Sequence, residues 1–421
     1  MALDLAAFQV DRVSFGDRTA WSQGTLTVDR SELTALATQD RRVRAIDLAI
    51  ATPGESARII NVHDVLEPRL KVEGPGVVYP GVCGRDVTTV GTGRTHRLAG
   101  LGLVECVDTT ADLGSARGES RGSAYFIEMS GPGAVQPYGA LSNLVLTFSM
   151  ESDLSDEDWD EAKRAAVLRI ADRLAETTVG QTPTQVERFD LDHGDPGLPR
   201  VVFVANLRSA EHRVGPRSGI GTAVYGVTRL SAPWLLRPTE ILDGAITRKM
   251  SWLQANNPVV LELARRHGTD VNFVGCIIAR TNWTSQWEKR LAALRVADMA
   301  QMLGAQGAVT TVDVRGNRFI EAILGVQACE QRGIMTTLCT VEEPNEDGQA
   351  PALIFSTPEN VSAVSCGDSD VPGPFPAVQR VLGAHDPAQE WYAERPGEGG
   401  GHIARYWVDY YGWGKVGCVD Y

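Results

Sequence analysis

The sequence predicts an α/β protein: a β-rich N-terminal unit followed by α/β layers with a largely parallel sheet. Three observations carry that expectation. Residues 1–145 alternate short apolar runs with glycine and proline, the pattern of strands and turns. Beyond them, apolar runs of strand length alternate with stretches of helical period, as in a layered α/β fold. The length of 421 residues exceeds one typical domain. The expected units are 1–145, β-rich with glycine-rich loops, then 146–260 and 261–421, both α/β.

In the first unit "FQVDRVSFG", "TLTVD" and "IDLAIATPGESARIINVHDVLEPRLKVEG" read as strands and turns, and "GPGVVYPGVCGRDVTTVGTGRTHRLAGLGLVEC" as strands broken by glycine-rich loops. "LSNLVLTFSM" reads as a buried strand and "SDEDWDEAKRAAVLRIADRLAETTVG" as a helix. Ser155, Asp156 and Glu157 open that helix, Trp159, Ala162, Ala166, Leu168, Ile170 and Leu174 form its apolar side, and Gly180 stops it. With "RVVFVANL" next, the order strand, helix, strand predicts a βαβ unit. The last unit repeats the rhythm: strand "DVNFVGCIIAR", helix "WEKRLAALRVADMAQMLG" closed by Gly304, strand "GAVTTVDV", helix "RFIEAILGVQACEQRG" closed by Gly333, and strands "IMTTLCTV" and "ALIFSTPE". Ligands of such a fold sit at the carboxyl ends of the strands. After Cys366 the chain reads as loop, and the aromatic tail "HIARYWVDYYGWGKVGCVDY" suits a core strand or a partner contact.

Composition narrows the function classes. With 43% hydrophobic and 22% charged residues, and no run of about 18 apolar residues, no membrane span is expected. The start "MALDLAAFQVDRVSFGD" lacks the features of a secretory signal, so the expected address is cytoplasmic. Seven cysteines, at 83, 106, 276, 329, 339, 366 and 418, include no CxxC pair and suit reduced thiols better than a disulfide framework or a zinc site. A formal net charge of -13 argues against a nucleic-acid partner. No metal, nucleotide or flavin motif is present.

The densest polar constellation is "VGTGRTHRL". Gly91 and Gly93 let the backbone turn or approach a ligand, and Arg94, Thr95 and His96 are placed to grip a carboxylate; the default alternative is a turn bonded internally. In "EPRLKVEGPG", Glu67, Arg69, Lys71 and Glu73 alternate along one strand face, either lining a polar cleft or, as the default, forming a solvated ladder. No nucleophile stands in a recognisable elbow, and Cys276 and Cys339, in apolar strands, read as small buried hydrophobes. The stretch "LDGAITRKMSWLQANNPVVLEL" looks like a loop that displays a reactive group, yet residues 245–258 hold no cysteine, histidine or carboxylate.

Taken together, "TPGESARI", "DVLEPRLKVEGPG", "TVGTGRTHRL", "MSGPGA", "RPTEILDGAI" and "NNPVVLELARRHGTDVNFVGCIIA" resemble the α/β-subunit proprotein of component B of glycine, sarcosine and betaine reductases, a family related to the D-proline reductase proprotein. The likeness runs from about residue 5 to about 340. It implies a precursor that cleaves itself before a cysteine just after "DGA", leaving a pyruvoyl group as electron sink, while a selenocysteine or cysteine on a separate subunit attacks the adjacent carbon. Here only "TRKMSWLQA" separates "DGAI" from "NNPVV", without a cysteine. The pyruvoyl group is therefore expected to be absent. Thr247 and Ser251 are the hydroxyls through which an alternative cleavage would run.

What the resemblance still implies is a polar, substrate-binding pocket of Glu67, Arg69, Arg94, Thr95 and His96. Glu240 and Asp243, on the approach to the former cleavage site, are candidate catalytic residues, and Lys249 is a candidate Schiff-base amine or an exposed loop lysine. The expected partner is a γ-subunit-like protein carrying Cys or Sec, with a small amino-acid-like substrate and no cofactor in this chain. The competing reading is a non-catalytic scaffold that stabilises and orients that partner.

Overall fold

A computed structural model describes residues 2–107, 125–131, 137–208, 222–228, 230–247, 251–281, 283–312, 317–342, 355–368, 371–373, 378–383, 404–406 and 417–419. The chain opens with strands β1 (Leu3–Gln9), β2 (Arg12–Phe15), β3 (Ala20–Ser22) and β4 (Thr25–Val28). Helix α1 (Arg30–Ala37) begins where the Asp29 carboxylate accepts from the Ser31 and Glu32 amides. Then come β5 (Val43–Ala51), β6 (Ala57–Leu66), β7 (Arg69–Glu73), β8 (Gly93–Ala99), β9 (Leu101–Val107), β10 (Tyr125–Glu128) and β11 (Ser142–Met150). Every residue of β9 and β11 is buried, because both faces of these strands are covered.

Helix α2 (Asp156–Glu176) starts at a Ser155 cap, as its sequence predicts. It packs on α1, β7, β8 and β11. β12 (Gln185–Phe189) returns to pair antiparallel with β1. The resulting four-stranded sheet runs β12-β1-β8-β7, and a neighbouring sheet runs β10-β6-β9-β11-β5. The expected βαβ unit across 141–207 is thereby corrected: β11 lies between β9 and β5, whereas the next long strand belongs to another sheet. A continuous apolar run fits any strand buried on both faces, and the polar stretch "QVERF" carries no strand signal of its own. Residues 142–189 thus pair and pack with the N-terminal sheets.

The α/β part comprises β13 (Arg200–Arg208), β14 (Ala223–Val224), β15 (Trp234–Leu236), α3 (Pro238–Leu242), β16 (Ile246–Thr247), α4 (Ser251–Ala255), α5 (Pro258–Arg265), β17 (Asn272–Thr281), α6 (Gln286–Met302), β18 (Gly307–Val312), α7 (Asn317–Glu330), β19 (Met335–Glu342) and β20 (Ala363–Asp368). Short strands β21 (Val371–Gly373), β22 (Arg380–Leu382), β23 (Ala404–Tyr406) and β24 (Gly417–Val419) follow. The main sheet is ordered β15-β17-β13-β18-β19-β20-β24. Its five central strands are parallel, with antiparallel edges at β15 and β24. Gly304 and Gly333 take φ of +65° and +76° just past α6 and α7, as helix-stopping glycines do. Of the strand expected at 352–359, residues 352–354 lie outside the described residues and 355–359 are turn and irregular chain; a strand forms instead at Ala363–Asp368. Of the aromatic tail, 404–406 and 417–419 form β23 and β24, and the remainder lies outside the described residues.

One apolar core joins both parts. Leu3, Val104 and Val145 of the N-terminal sheets pack in the same cluster as Phe203, Cys276 and Ile278 of the parallel sheet. Ile241, Leu242, Trp252, Leu253 and Val260 lie in that cluster too, so α3, α4 and α5 are held where the two parts meet. Among the described residues no helix is long and apolar enough to cross a membrane.

Candidate functional site

The segment from α3 to α4 is clamped at both ends. Pro238 occupies the first turn of α3, where a missing N–H leaves nothing unpaired. Glu240 folds back so that Oε2 accepts from the Arg237 amide at 2.6 Å and Oε1 from the Tyr225 hydroxyl. That hydroxyl in turn accepts from the Val90 amide at 3.2 Å. At the C-terminal end of α3 the fully buried Asp243 accepts from the Gly91 amide at 2.6 Å, the Thr95 hydroxyl and the Lys71 ammonium. Gly91 sits at φ +102°, and a Cβ there would lie 2.9 Å from the Glu240 nitrogen. Only glycine lets the β7–β8 loop come this close to α3.

Arg69 secures the same segment from below. It donates to Glu67 at 2.7 Å, to the Leu242 carbonyl and to Asn256 Oδ1 at 3.0 Å. Arg97, opposite Arg69 across the β7–β8 pairing, lies 3.4 Å from the second Glu67 oxygen. The solvated ladder expected for Glu67, Arg69, Lys71 and Glu73 is therefore corrected: Glu67 and Arg69 are buried, the Lys71 side chain is covered by Asp243, and Glu73 alone is exposed. The alternation was right, but this face of the strand looks onto α3 and α4.

At the other end, Ser251 begins α4 fully buried. Its amide and hydroxyl donate to the two oxygens of Asp64, at 2.8 and 2.6 Å, and its hydroxyl lies 2.9 Å from that of Thr247. Asp64 also receives Arg164 at 2.7 Å. Behind them Glu105 pairs with Lys163 and, at 3.4 Å, with Arg164, while Lys163 sits 3.2 Å from His63 Nδ1 and 4.6 Å from the Trp159 ring centre. Burial alone would raise the Glu105 carboxyl, but the Arg164 and Lys163 cations hold it down to about 2. Burial and the Lys163 charge both lower His63, to about 3.

The structure separates the sequence-predicted residues. Thr95, Glu67, Arg69, Glu240 and Asp243 come together around α3. Arg94 and His96 occupy the alternate positions of β8 and face away. Arg94 is partly exposed beside Asp4 and Glu73, at 3.3 and 3.5 Å. His96 lies against Phe8, with Nδ1 2.8 Å from the Thr178 hydroxyl. Lys249 lies outside the described residues. Sequence reasoning missed Asp64, Glu105, Lys163, Arg164 and the position of Ser251.

It also missed a cavity of about 430 Å³ lined by Asp192, Arg200, Arg237, Thr239, His267 and Asn272, among others. Arg237 is exposed there, one residue before α3. Asn272, 4% exposed, anchors its Nδ2 on the Asp195 and Leu198 carbonyls, whereas its buried Oδ1 finds no partner among the described residues. An exposed guanidinium beside a cavity of this size suits a small molecule with a carboxylate.

A family model described as glycine/sarcosine/betaine reductase component B subunits matches residues 1–396. The chain belongs to this family. The match extends past the residue near 340 at which the motif likeness fades. The α subunit of component B of the sarcosine reductase complex of Peptoclostridium acidaminophilum is 32% identical over 405 residues, covering 92% of this chain and 90% of that one. The component B α and β subunits of the glycine reductase complex of Acetoanaerobium sticklandii are 31% identical over 402 residues, with 91% and 89% covered. The betaine reductase component B α subunit of P. acidaminophilum is 31% identical over 404 residues, with 91% and 88% covered. No solved structure matches the chain. Residues 245–258 hold no cysteine, and the Thr247 and Ser251 hydroxyls are buried and lie 2.9 Å apart.

Proposed function

We propose that this chain is a subunit of a cytoplasmic reductase component B-like complex that works without a pyruvoyl group. A γ-subunit-like partner brings a Cys thiolate or Sec selenolate, which attacks carbon in a small amino-acid-like substrate. The C–S or C–Se bond forms as a C–N or other C–heteroatom bond breaks, and the heteroatom leaves with the electron pair and takes up a proton. Such a step suits a specialised pathway that builds C–S bonds. One observation carries the reading: the segment between Asp243 and Ser251 contains no cysteine from which a pyruvoyl group could form, and its end is held by Asp64. The cavity beside Arg237 supplies a receptor for the substrate carboxylate.

A scaffold role is the second reading, favoured by the internal pairing of Glu67, Arg69, Glu240 and Asp243. The test mixes the chain with the γ-type subunit and a panel of glycine, sarcosine and betaine. Association is read by gel filtration, and the mass gained on the partner's thiol or selenol by intact-protein mass spectrometry. Catalysis predicts a mass gain that needs this chain and falls about tenfold or more with Arg237→Met while association persists, as loss of a charge-assisted bond does. Association without mass gain supports the scaffold; no association contradicts both.

A further inference from the structure

Cysteines 339 and 366 stand on adjacent parallel strands, β19 and β20, near their carboxyl ends. Cys339 is aligned with Val364, Cys366 follows two residues further along where the pairing register shifts, and the Cys366 thiol hydrogen-bonds to Cys339. Cys339 is aligned on its other side with Thr311 of β18. That threonine is fully buried, and its hydroxyl has no hydrogen-bond partner among the described residues. Leu338 and Val312 pack under α7, so Thr311 and Cys339 occupy the face turned away from that helix. Cys339 is partly exposed, whereas Cys366 is buried.

We propose that Cys339 and Cys366 form a thiol–disulfide exchange site whose substrate is a disulfide presented at the carboxyl edge of the parallel sheet. Edges of this kind are where α/β sheets bind ligands. The Cys339 thiolate attacks R–S–S–R′, forming Cys339–S–S–R and expelling R′–S⁻. Cys366 then gives up its proton, attacks the Cys339 sulfur, expels R–S⁻ and closes the Cys339–Cys366 bond. Two cysteine thiols are oxidised by two electrons, and the disulfide is reduced to two thiols that take up the two protons. The more exposed sulfur attacks and the buried one resolves.

Three of the other five thiols are poor competitors. Burial pushes the Cys106 and Cys276 thiols well up and raises Cys329 to about 11, which leaves little thiolate at neutral pH. Cys339 moves the other way, because Cys366 hydrogen-bonds to it. The inference is independent of the function proposed above, since the exchange needs no partner subunit.

The test incubates the reduced full chain with oxidised glutathione, alkylates the remaining thiols and maps the peptides. The expected result is the joint loss of two of the seven thiols, with the 339 and 366 peptides linked. With Cys366→Ser, a stable glutathione adduct accumulates on Cys339; with Cys339→Ser, none forms on Cys366. Cys418 stands opposite Val364 on β24, and a link to Cys418 instead would overturn the assignment. Both thiols staying alkylatable in the native chain would overturn it as well.

Discussion

At Asp243 a carboxylate removed from water accepts from a backbone amide, a hydroxyl and an ammonium group. Asp243→Asn leaves Lys71 facing an amide with its side chain 4% exposed, so unfolding measured by denaturant should lose about 3–5 kcal/mol, the range for breaking a buried pair. Adding Lys71→Met should recover part of that loss, because the stranded charge goes with it. Acid acts at the other clamp. Glu105 is held below its ordinary value, so its stabilisation is complete above about pH 4.5 and disappears as pH falls toward 2. His63 is also lowered, so the unfolded chain binds its proton from about pH 6.5 downward while the folded chain resists until about 3. Both signs make stability fall on acidification. His63→Gln should flatten the unfolding free energy between pH 6.5 and 4.5 while leaving the steeper loss below. Some of this was legible from sequence: Lys163 follows Trp159 by one helical turn, on the apolar side of α2, and Asp64 interrupts the apolar run "IINVHDVL". What each charge meets was not legible, because Lys163 and Glu105 are 58 residues apart in sequence and adjacent only through the packing of α2 on the sheet.

Among the elements, helices and parallel strands with strong periodicity and clear stops, such as α2, α6, α7, β17 and β18, lie where their sequences predict. The failures share one cause. Whether β11 and β13 sit in one sheet is decided by their neighbours, and β12 forms because β1 offers it an edge. The clamp on α3 likewise depends on one loop geometry. Gly91→Ala would place a Cβ against the Glu240 amide at a positive φ, a strain of about 1–3 kcal/mol. Its expected signature is a lower unfolding midpoint with faster amide exchange at Glu240 and Asp243; an unchanged midpoint would mean that α3 does not need this contact.

For the whole molecule, family membership was legible in ordered motifs, while the cavity beside Arg237 was not, since Asp192, Arg237 and Asn272 share no local pattern. The central claim is that this family member remains one chain and leaves nucleophilic attack to a partner. Intact-mass spectrometry of the purified protein, with and without borohydride and a carbonyl-reactive hydrazine, tests it most directly. The account predicts one species near 45.4 kDa with no adduct. Two fragments split near Ser251, one of them taking up hydrazine, would contradict it and show that a carbonyl group forms in this chain after all.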